Sequence, residues 1–300
     1  MQVSAVEALA RREPMGTDTL HVPRTGDFDV EHIGKGGTYG EDVTAVGEIL
    51  LTARKMGKAM RLAEEDKKDT AKLLDVVATK KLDWARNYAK YLDNATLAVS
   101  GAESGTPANQ RPFTSLYYAI RNGVAGPEYA DVSYTANANY FTTTQAEFQA
   151  GTNTGYDDLS GVLSVIEEGD YFEEDLVSWV GHPRWKRLFR EMRGSDGHPI
   201  LIKGNQGAPD TLMGYPIKWT LGAKVSATAT KAPPGNALLF CMNTKVAMCL
   251  GVRSGPESAA ASAETGGPGF LTDEDLIKMR ARRGFRVGDP NAAAVLQLTG

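Results

Sequence analysis

Four absences bound what this chain can be. Cysteine is nearly missing: Cys241 and Cys249 are the only two, too few for a disulfide framework and without the C-x-x-C spacing of a zinc site, so both are expected as small buried apolar side chains. Long hydrophobic runs are missing as well. No stretch reaches the roughly 18 apolar residues of a membrane span, and the opening MQVSAVEALARREP carries acids and lacks the apolar centre of a signal peptide. A soluble protein of a cytoplasm-like compartment, with no membrane partner, is expected. Charge of one sign is not in excess either: 33 basic side chains face 37 acidic ones, a net charge of −4, without the strong positive balance that a general phosphate-backbone binder carries. Finally, there is no G-x-S-x-G, no H-E-x-x-H and no phosphate loop. Of the four histidines, His182 and His198 flank one short unit, and two histidines without a third ligand do not make a metal site. No catalytic, cofactor-binding or metal-ligating residue is expected, and the chain does not read as an enzyme.

What is present reads as architecture. A chain of 300 residues, 42% hydrophobic and 23% charged, is globular and large enough for one core or two lobes. Residues 1–25 hold a short Ala/Leu stretch that stops near Pro14 and a polar extended piece with Pro23, neither able to form a core alone. From Gly26 to Gly40, GDFDVEHIGKGGTYG places five glycines in fifteen residues, the composition of a loop or hairpin tip. The run from Gly34 misses G-x-G-x-x-G at Tyr39, so nucleotide binding is not expected there. Residues 44–62 alternate through Ile49, Leu51 and Ala53 as a long strand would. With the glycine-rich loop they suggest an arm projecting from the body. Glu64, Glu65, Asp66 and Asp69 then lead a helix expected from Lys67 to Asn94, about 42 Å long at roughly 1.5 Å per residue. Leu74, Ala78, Ala85, Ala89 and Leu92 lie along one face of it.

Between Lys90 and Lys186 there is no lysine. Residues 101–156 are rich in Thr, Asn, Ala, Gly and Tyr, which favours short strands and turns and suits equally a surface that meets copies of itself. A helix of about ten residues is expected from near Asp157. Next comes SWVGHPRWKRLFREMRGSDGHPIL, residues 178–201. Leu176, Val177, Trp179 and Val180 make a strand, and His182 and Pro183 open a helix whose apolar stripe is Trp185, Leu188, Phe189 and Met192. His182 is expected to cap that helix and His198 to sit in a turn.

These pieces, in this order, resemble the tailed-bacteriophage major capsid proteins of the Hong Kong 97 fold. Trp179, Val180, Pro183, Trp185, Leu188, Asp196, Gly197, Pro199 and Leu201 match that family's W-V-x-x-P-x-x-W/L…L…D-G-x-P-L unit. PDTLMGYPIKWT, residues 209–220, is close to P-D-T-L-x-G-Y-P-V and carries Gly214, Tyr215 and Pro216. NALLFCMNTKVAMCLGVRSG resembles the strand pair written with F-G-D, with Cys241 and Met242 in place of glycine and aspartate. DEDLIKMRARRGFRVGDPNAAAVLQLTG matches the arginine-rich last strand and its D-P-x-A close. ARKMGKAMRLAEEDKKD resembles the return from the extended loop into the spine helix, with Ala63 where serine is usual. The resemblance covers roughly residues 20–300.

The resemblance implies an α+β fold of Hong Kong 97 type: an N-terminal arm (1–25), an extended E-loop hairpin (26–62), a peripheral (P) domain with the spine helix (63–100 and 271–300) and a mixed-sheet axial (A) domain (101–270). It implies a shell protein that forms hexamers and pentamers around packaged double-stranded DNA, in the virion, after assembly in the host bacterial cytoplasm. The related alternative is an encapsulin-type nanocompartment shell. Gly34, Lys35, Gly36, Gly37 and Gly40 would form the E-loop tip that lies on a neighbouring subunit. Trp179, Pro183, Trp185, Gly197, Gly214, Tyr215 and Pro216 would be structural residues of the A domain. The expected partners are further copies, a separate scaffolding protein (about 20 residues precede the loop), a portal and a decoration protein; no cofactor is implied. Some relatives cross-link a loop lysine to an asparagine. Lys35 is the lysine available in this chain, but acids stand around Asp273–Asp275, and Asn291 lies in the terminal strand, so no such bond is expected.

Overall fold

The structure, a computed structural model, describes residues 4–26, 30–41, 45–63, 65, 76–106, 110–124, 133–149, 154–192, 211–261 and 272–300. In chain order its elements are α1 (Ala5–Leu9), β1 (Arg11–Pro14), β2 (Thr19–Thr25), β3 (Val46–Thr52), β4 (Arg54–Ala63), α2 (Val76–Leu97), α3 (Leu116–Asn122), β5 (Tyr140–Thr144), α4 (Thr154–Glu167), β6 (Val177–Gly181), α5 (Trp185–Glu191), β7 (Thr211–Leu212), β8 (Tyr215–Trp219), β9 (Leu238–Asn243), α6 (Thr244–Ala247), β10 (Met248–Ala261), β11 (Glu274–Val287) and β12 (Ala293–Thr299).

Three sheets follow from the pairing. One has the order β1-β10-β11-β4, a second the order β5-β12-β9-β6-β8-β7, and β2 and β3 form a two-stranded hairpin. The central strands of the six-stranded sheet, β9 (LLFCMN) and β12 (AAVLQLT), are buried along nearly their whole length. Strands covered on both faces read as continuous apolar runs for that reason. Their alternation survives in where the side chains go. Phe240, Met242, Ala293 and Val295 join the core that α2 and α3 cover, whereas Leu239, Cys241, Ala294 and Leu296 join the one that α4 and α5 cover, as the two-residue period of a strand requires. A third, small cluster of Met15, Val22, Ile49, Leu51 and Cys249 lies beneath the hairpin.

The helix α2 connects these parts through its last turns. Its described N-terminal half is mostly in solvent, but Leu92 to Leu97 are buried all round, so the polar Asp93 and Asn94 need internal partners. Asp93 accepts from the Ser4 hydroxyl, the Ala5 and Val6 amides (3.1 and 3.2 Å) and the Thr220 hydroxyl. Asn94 donates to the carbonyls of Gly222 and Lys224, both at 2.9 Å, and accepts from the Ser226 hydroxyl and the Thr230 amide. Burial pushes the Asp93 carboxyl above its ordinary range, opposed by those four donors. Residue 222 is glycine because a Cβ there would lie 2.6 Å from the Asn94 nitrogen and 2.7 Å from the Asp93 Cβ.

Several expectations need correction. The single strand over 44–62 is two strands that turn at Ala53: β3 pairs with β2, and β4 with β11. The hairpin's first strand, Thr19–Thr25, therefore falls in the stretch read as an N-terminal arm. Within 1–25, α1 and β1 are docked, β1 pairing with β10. The described part of the long helix begins at Val76 and runs past Asn94 to Leu97; residues 67–75 of the expected span lie outside the described residues. Ala78, placed on its apolar face, is exposed, because packing against the body starts only at the later turns. The helix near Asp157 spans 14 residues rather than about ten.

We expect Asp93→Ala to lower the free energy of unfolding by at least about 3 kcal/mol, since it leaves four buried donors without an acceptor. Urea unfolding of the purified chain measures this, and a shift under about 1 kcal/mol would show that Asp93 does not hold the junction together.

Candidate assembly surfaces

A hairpin that buries one face and exposes the other is the first candidate. Along β3, Gly47, Ile49 and Leu51 point inward while Val46, Glu48 and Leu50 point to solvent. The inward face rests on two glycines opposite each other in register, Gly251 and Gly284. A Cβ on Gly251 would come 2.3 Å from the Met15 sulfur and 3.4 Å from Leu51, so this dimple exists because both residues lack side chains. The outward face carries Val46, Leu50 and Pro23 beside a His21–Glu48 pair at 2.9 Å. At the far end Val30 and Tyr39 are 88% and 82% exposed. Grouped exposed apolar side chains mark a surface that meets another molecule.

The structure places Gly34, Lys35, Gly36, Gly37 and Gly40 together at the end of this hairpin, all exposed. The Gly37 amide donates to the Gly34 carbonyl at 2.9 Å, and Gly36 has φ +86°, as the third position of a type II turn requires. Lys35 therefore sits at the tip of the turn.

The second group lies in the six-stranded sheet and its helices. Trp179 and Trp185 are fully buried. Trp185 meets Phe148 edge-on at 5.7 Å and Phe189 at 6.0 Å, and Phe189 meets Trp219 at 6.2 Å. The expected stripe of Trp185, Leu188, Phe189 and Met192 is buried throughout. Pro183 occupies the turn ahead of α5, where the Trp185 amide already bonds the His182 carbonyl and the Lys186 amide the Pro183 carbonyl. The helix itself starts two residues after Pro183, at Trp185, and the strand before it is Val177–Gly181. Gly214 (φ +90°) and Met213 (φ +51°) form the two-residue turn joining β7 to β8, and two positive φ values match a type I′ hairpin. Tyr215 and Pro216 begin β8, the Tyr215 hydroxyl donating to Glu167 at 3.0 Å. Gly197 and His198 lie outside the described residues.

His182 Nδ1 accepts from the Arg184 amide at 3.1 Å and so closes the turn ahead of α5; the residue at the N-cap of the helix is Arg184, without a side-chain cap, so His182 is a turn residue rather than the helix cap expected. Burial, with Lys224 and Arg184 nearby, lowers its pKa to about 4, so it is neutral at pH 7. Both cysteines are free and buried; burial pushes the Cys249 thiol up to about 11 and the Cys241 thiol higher still. Among the described residues no group of three His, Cys, Asp or Glu is placed to hold a metal ion.

Composition and periodicity did not disclose the ties that fix the N-terminal segment. Arg283, buried on β11, donates to Glu7, as does the Tyr88 hydroxyl, and Arg24 pairs with buried Asp289. One signal exists in the chain: Ser4 with Glu7 three residues on is the S-x-x-E helix start, and the Ser4 side chain does accept from the Glu7 amide.

The family profile described as "Phage capsid family" matches residues 1–298. The chain belongs to that family. It is thus a structural protein of the bacteriophage head, and its place is the virion. Among solved structures, a chain of Mycobacterium phage Bobi is 14% identical with a TM-score of 0.70, covering 100% of this chain and 91% of that one. A chain of Gordonia phage Cozz is 16% identical at a TM-score of 0.68, covering 99% and 87%. The capsid of an empty GTA particle is 15% identical at 0.63, covering 100% and 91%. At these identities the likeness is one of fold. No curated protein matches the chain.

For His182, a folded-state pKa below the usual 6.5 means its contribution to stability is fully present above about pH 6.5 and is lost as the pH falls toward 4. Unfolding midpoints between pH 7 and pH 4 should fall more steeply for the native phage capsid chain than for His182→Asn, which keeps an acceptor for the Arg184 amide. Equal slopes would refute the assignment.

Proposed function

We propose that the chain assembles into hexamers and pentamers that close an icosahedral shell around packaged double-stranded DNA. The match to the phage capsid family over residues 1–298 carries this reading. The hairpin with an apolar outward face supports it, since none of the described residues of its own chain covers that face. The near-neutral balance of 33 basic and 37 acidic side chains suits a container, because a strongly basic wall would bind the genome it holds.

The fold assignment we propose within the Hong Kong 97 type follows strand pairing. The β2–β3 hairpin and its glycine-rich end are the E-loop, reaching over a neighbouring subunit. The helix α2 is the spine, and with the β1-β10-β11-β4 sheet it makes the P domain. The six-stranded sheet with α4 and α5 makes the A domain around the capsomer centre, so this assignment moves β12 out of the P domain expected for 271–300 and β10 out of the A domain expected for 101–270. Scaffolding, portal and decoration proteins complete the assembly in the host cytoplasm.

Negative-stain electron microscopy and light scattering on the chain expressed alone, and again with its neighbouring reading frames, test the shell. Capsomers or closed particles are expected, and a monodisperse monomer or dimer in both preparations would sink the proposal. Covalent cross-linking is not expected. Lys35 sits at the loop tip, and the Asn291 side chain is engaged with Asp289 at 3.0 Å. Boiled, reduced particles should run as a monomer band, and a ladder of oligomers would overturn this.

A further inference from the structure

Among the described residues, a groove and a projecting turn of opposite charge stand out once the hairpin and the buried cores are assigned. The first is a groove of about 660 Å³ between β4, α2 and the segments around Arg111 and Lys231. Arg54, Lys55, Lys58, Arg111 and Lys231 line it, and among the described residues no carboxylate does. Arg54 is paired with Glu103 just outside, while Lys55, Lys58, Arg111 and Lys231 have no ion pair among the described residues. The Arg111 Nε is buried with no hydrogen-bond partner there. The apolar part of the lining comes from Trp84, Tyr88 and Tyr91, with Trp84 stacked on Tyr88 at 5.3 Å. One wall is β4, the last strand in its sheet, whose outward backbone groups have no strand neighbour among the described residues. A free edge of this kind can accept an extended segment.

The second feature is the turn from α4 to β6, where Glu167, Glu174 and Asp175 stand beside the Met213–Pro216 turn. Residues 167–175, EEGDYFEED, hold six carboxylates and no cation. Glu167, Glu168, Asp170, Glu173, Glu174 and Asp175 are all exposed, and Phe172 projects among them at 38% exposure. The groove belongs to the four-stranded sheet and the acidic turn to the six-stranded one, with no residue in common.

We propose that the groove of one chain receives the acidic 167–175 turn of a second copy, with Phe172 against the aromatic wall and the carboxylates on the unpaired cations. The inference rests on the self-assembly proposed above and names two surfaces that meet in it. A contact between two different patches is head-to-tail and closes into a ring when the rotation allows, as a capsomer requires. Charge complementarity of this sort sets partner and register and weakens with salt.

Charge reversal on exposed positions tests it. One variant carries Lys55→Glu, Lys58→Glu and Lys231→Glu, the other replaces all six exposed carboxylates of the turn by lysine (Glu167→Lys, Glu168→Lys, Asp170→Lys, Glu173→Lys, Glu174→Lys and Asp175→Lys), each checked by circular dichroism and thermal melting for a native fold. Each alone should lose capsomers in sedimentation velocity. An equimolar mixture should recover six-membered rings, because in alternation each unaltered acidic turn meets an unaltered basic groove and each reversed turn meets a reversed groove; five-membered rings cannot alternate and should stay absent. Carbodiimide coupling of wild-type particles should join Lys55, Lys58 or Lys231 to carboxylates of 167–175 on another chain. Folded variants that assemble normally, a mixture that stays unassembled, or coupling to Glu31 or Glu41 of the glycine-rich hairpin end instead would each overturn the pairing. A wild-type chain that never assembles would sink the shell reading itself.

Discussion

The fold hangs on two adjacent polar side chains buried at the end of one helix. Asp93 and Asn94 face opposite partners: the carboxylate receives the first amides of α1, and the carboxamide receives and donates to the 222–230 segment. Burying either without those partners would be costly. The N-terminal helix, the long helix and the connection from β8 to β9 are therefore tied together at one junction. Gly222 lets the backbones approach closely enough for this, and the Glu7–Arg283 pair adds β11 to the same junction. The chain ends up as one body in which the six-stranded sheet and the four-stranded sheet share the core that α2 covers.

Away from that junction, the molecule is organised to leave surface unfinished. The hairpin is held to the body at a dimple made by Gly251 and Gly284 and buries only the small cluster around Leu51. Its other face and its tip remain in water with valine, leucine and tyrosine exposed. A chain that folds alone has no use for such a face. A chain that tiles a shell does, since many modest contacts made together give a closed object far more stable than any one of them.

The charge distribution has the same logic. A net charge of −4 conceals a basic, aromatic groove on one sheet and an acidic turn on another. Ionisable groups inside the body are instead satisfied locally, as with Arg283 on Glu7 and Arg24 on Asp289. The groove cations Lys55, Lys58, Arg111 and Lys231, by contrast, have no ion pair among the described residues.

Much of the architecture was legible in the chain. The stripe of Trp185, Leu188, Phe189 and Met192, the glycine-rich turn around Gly36 and the buried cysteines follow from period, glycine content and spacing, which are local properties, whereas the segments of β9 and β12 were reached through the family resemblance. The family was legible because its motifs recur in order, from the hairpin to the D-P-x-A close. Other features could not be read locally. Residues 44–62 carry alternating pieces that read as one strand, and nothing in them says that Ala53 hands the chain from one sheet to another. Asp93 and Asn94 look like ordinary solvated residues of a polar helix, and Ala78 looks like a core position, because burial depends on what lies across from them. Composition and local pattern determined which segments become strands and helices and to which family the chain belongs. Tertiary structure alone decided which strand pairs with which, which polar residues are buried and where unpaired charge collects, since those depend on contacts between residues up to nearly the full chain length apart.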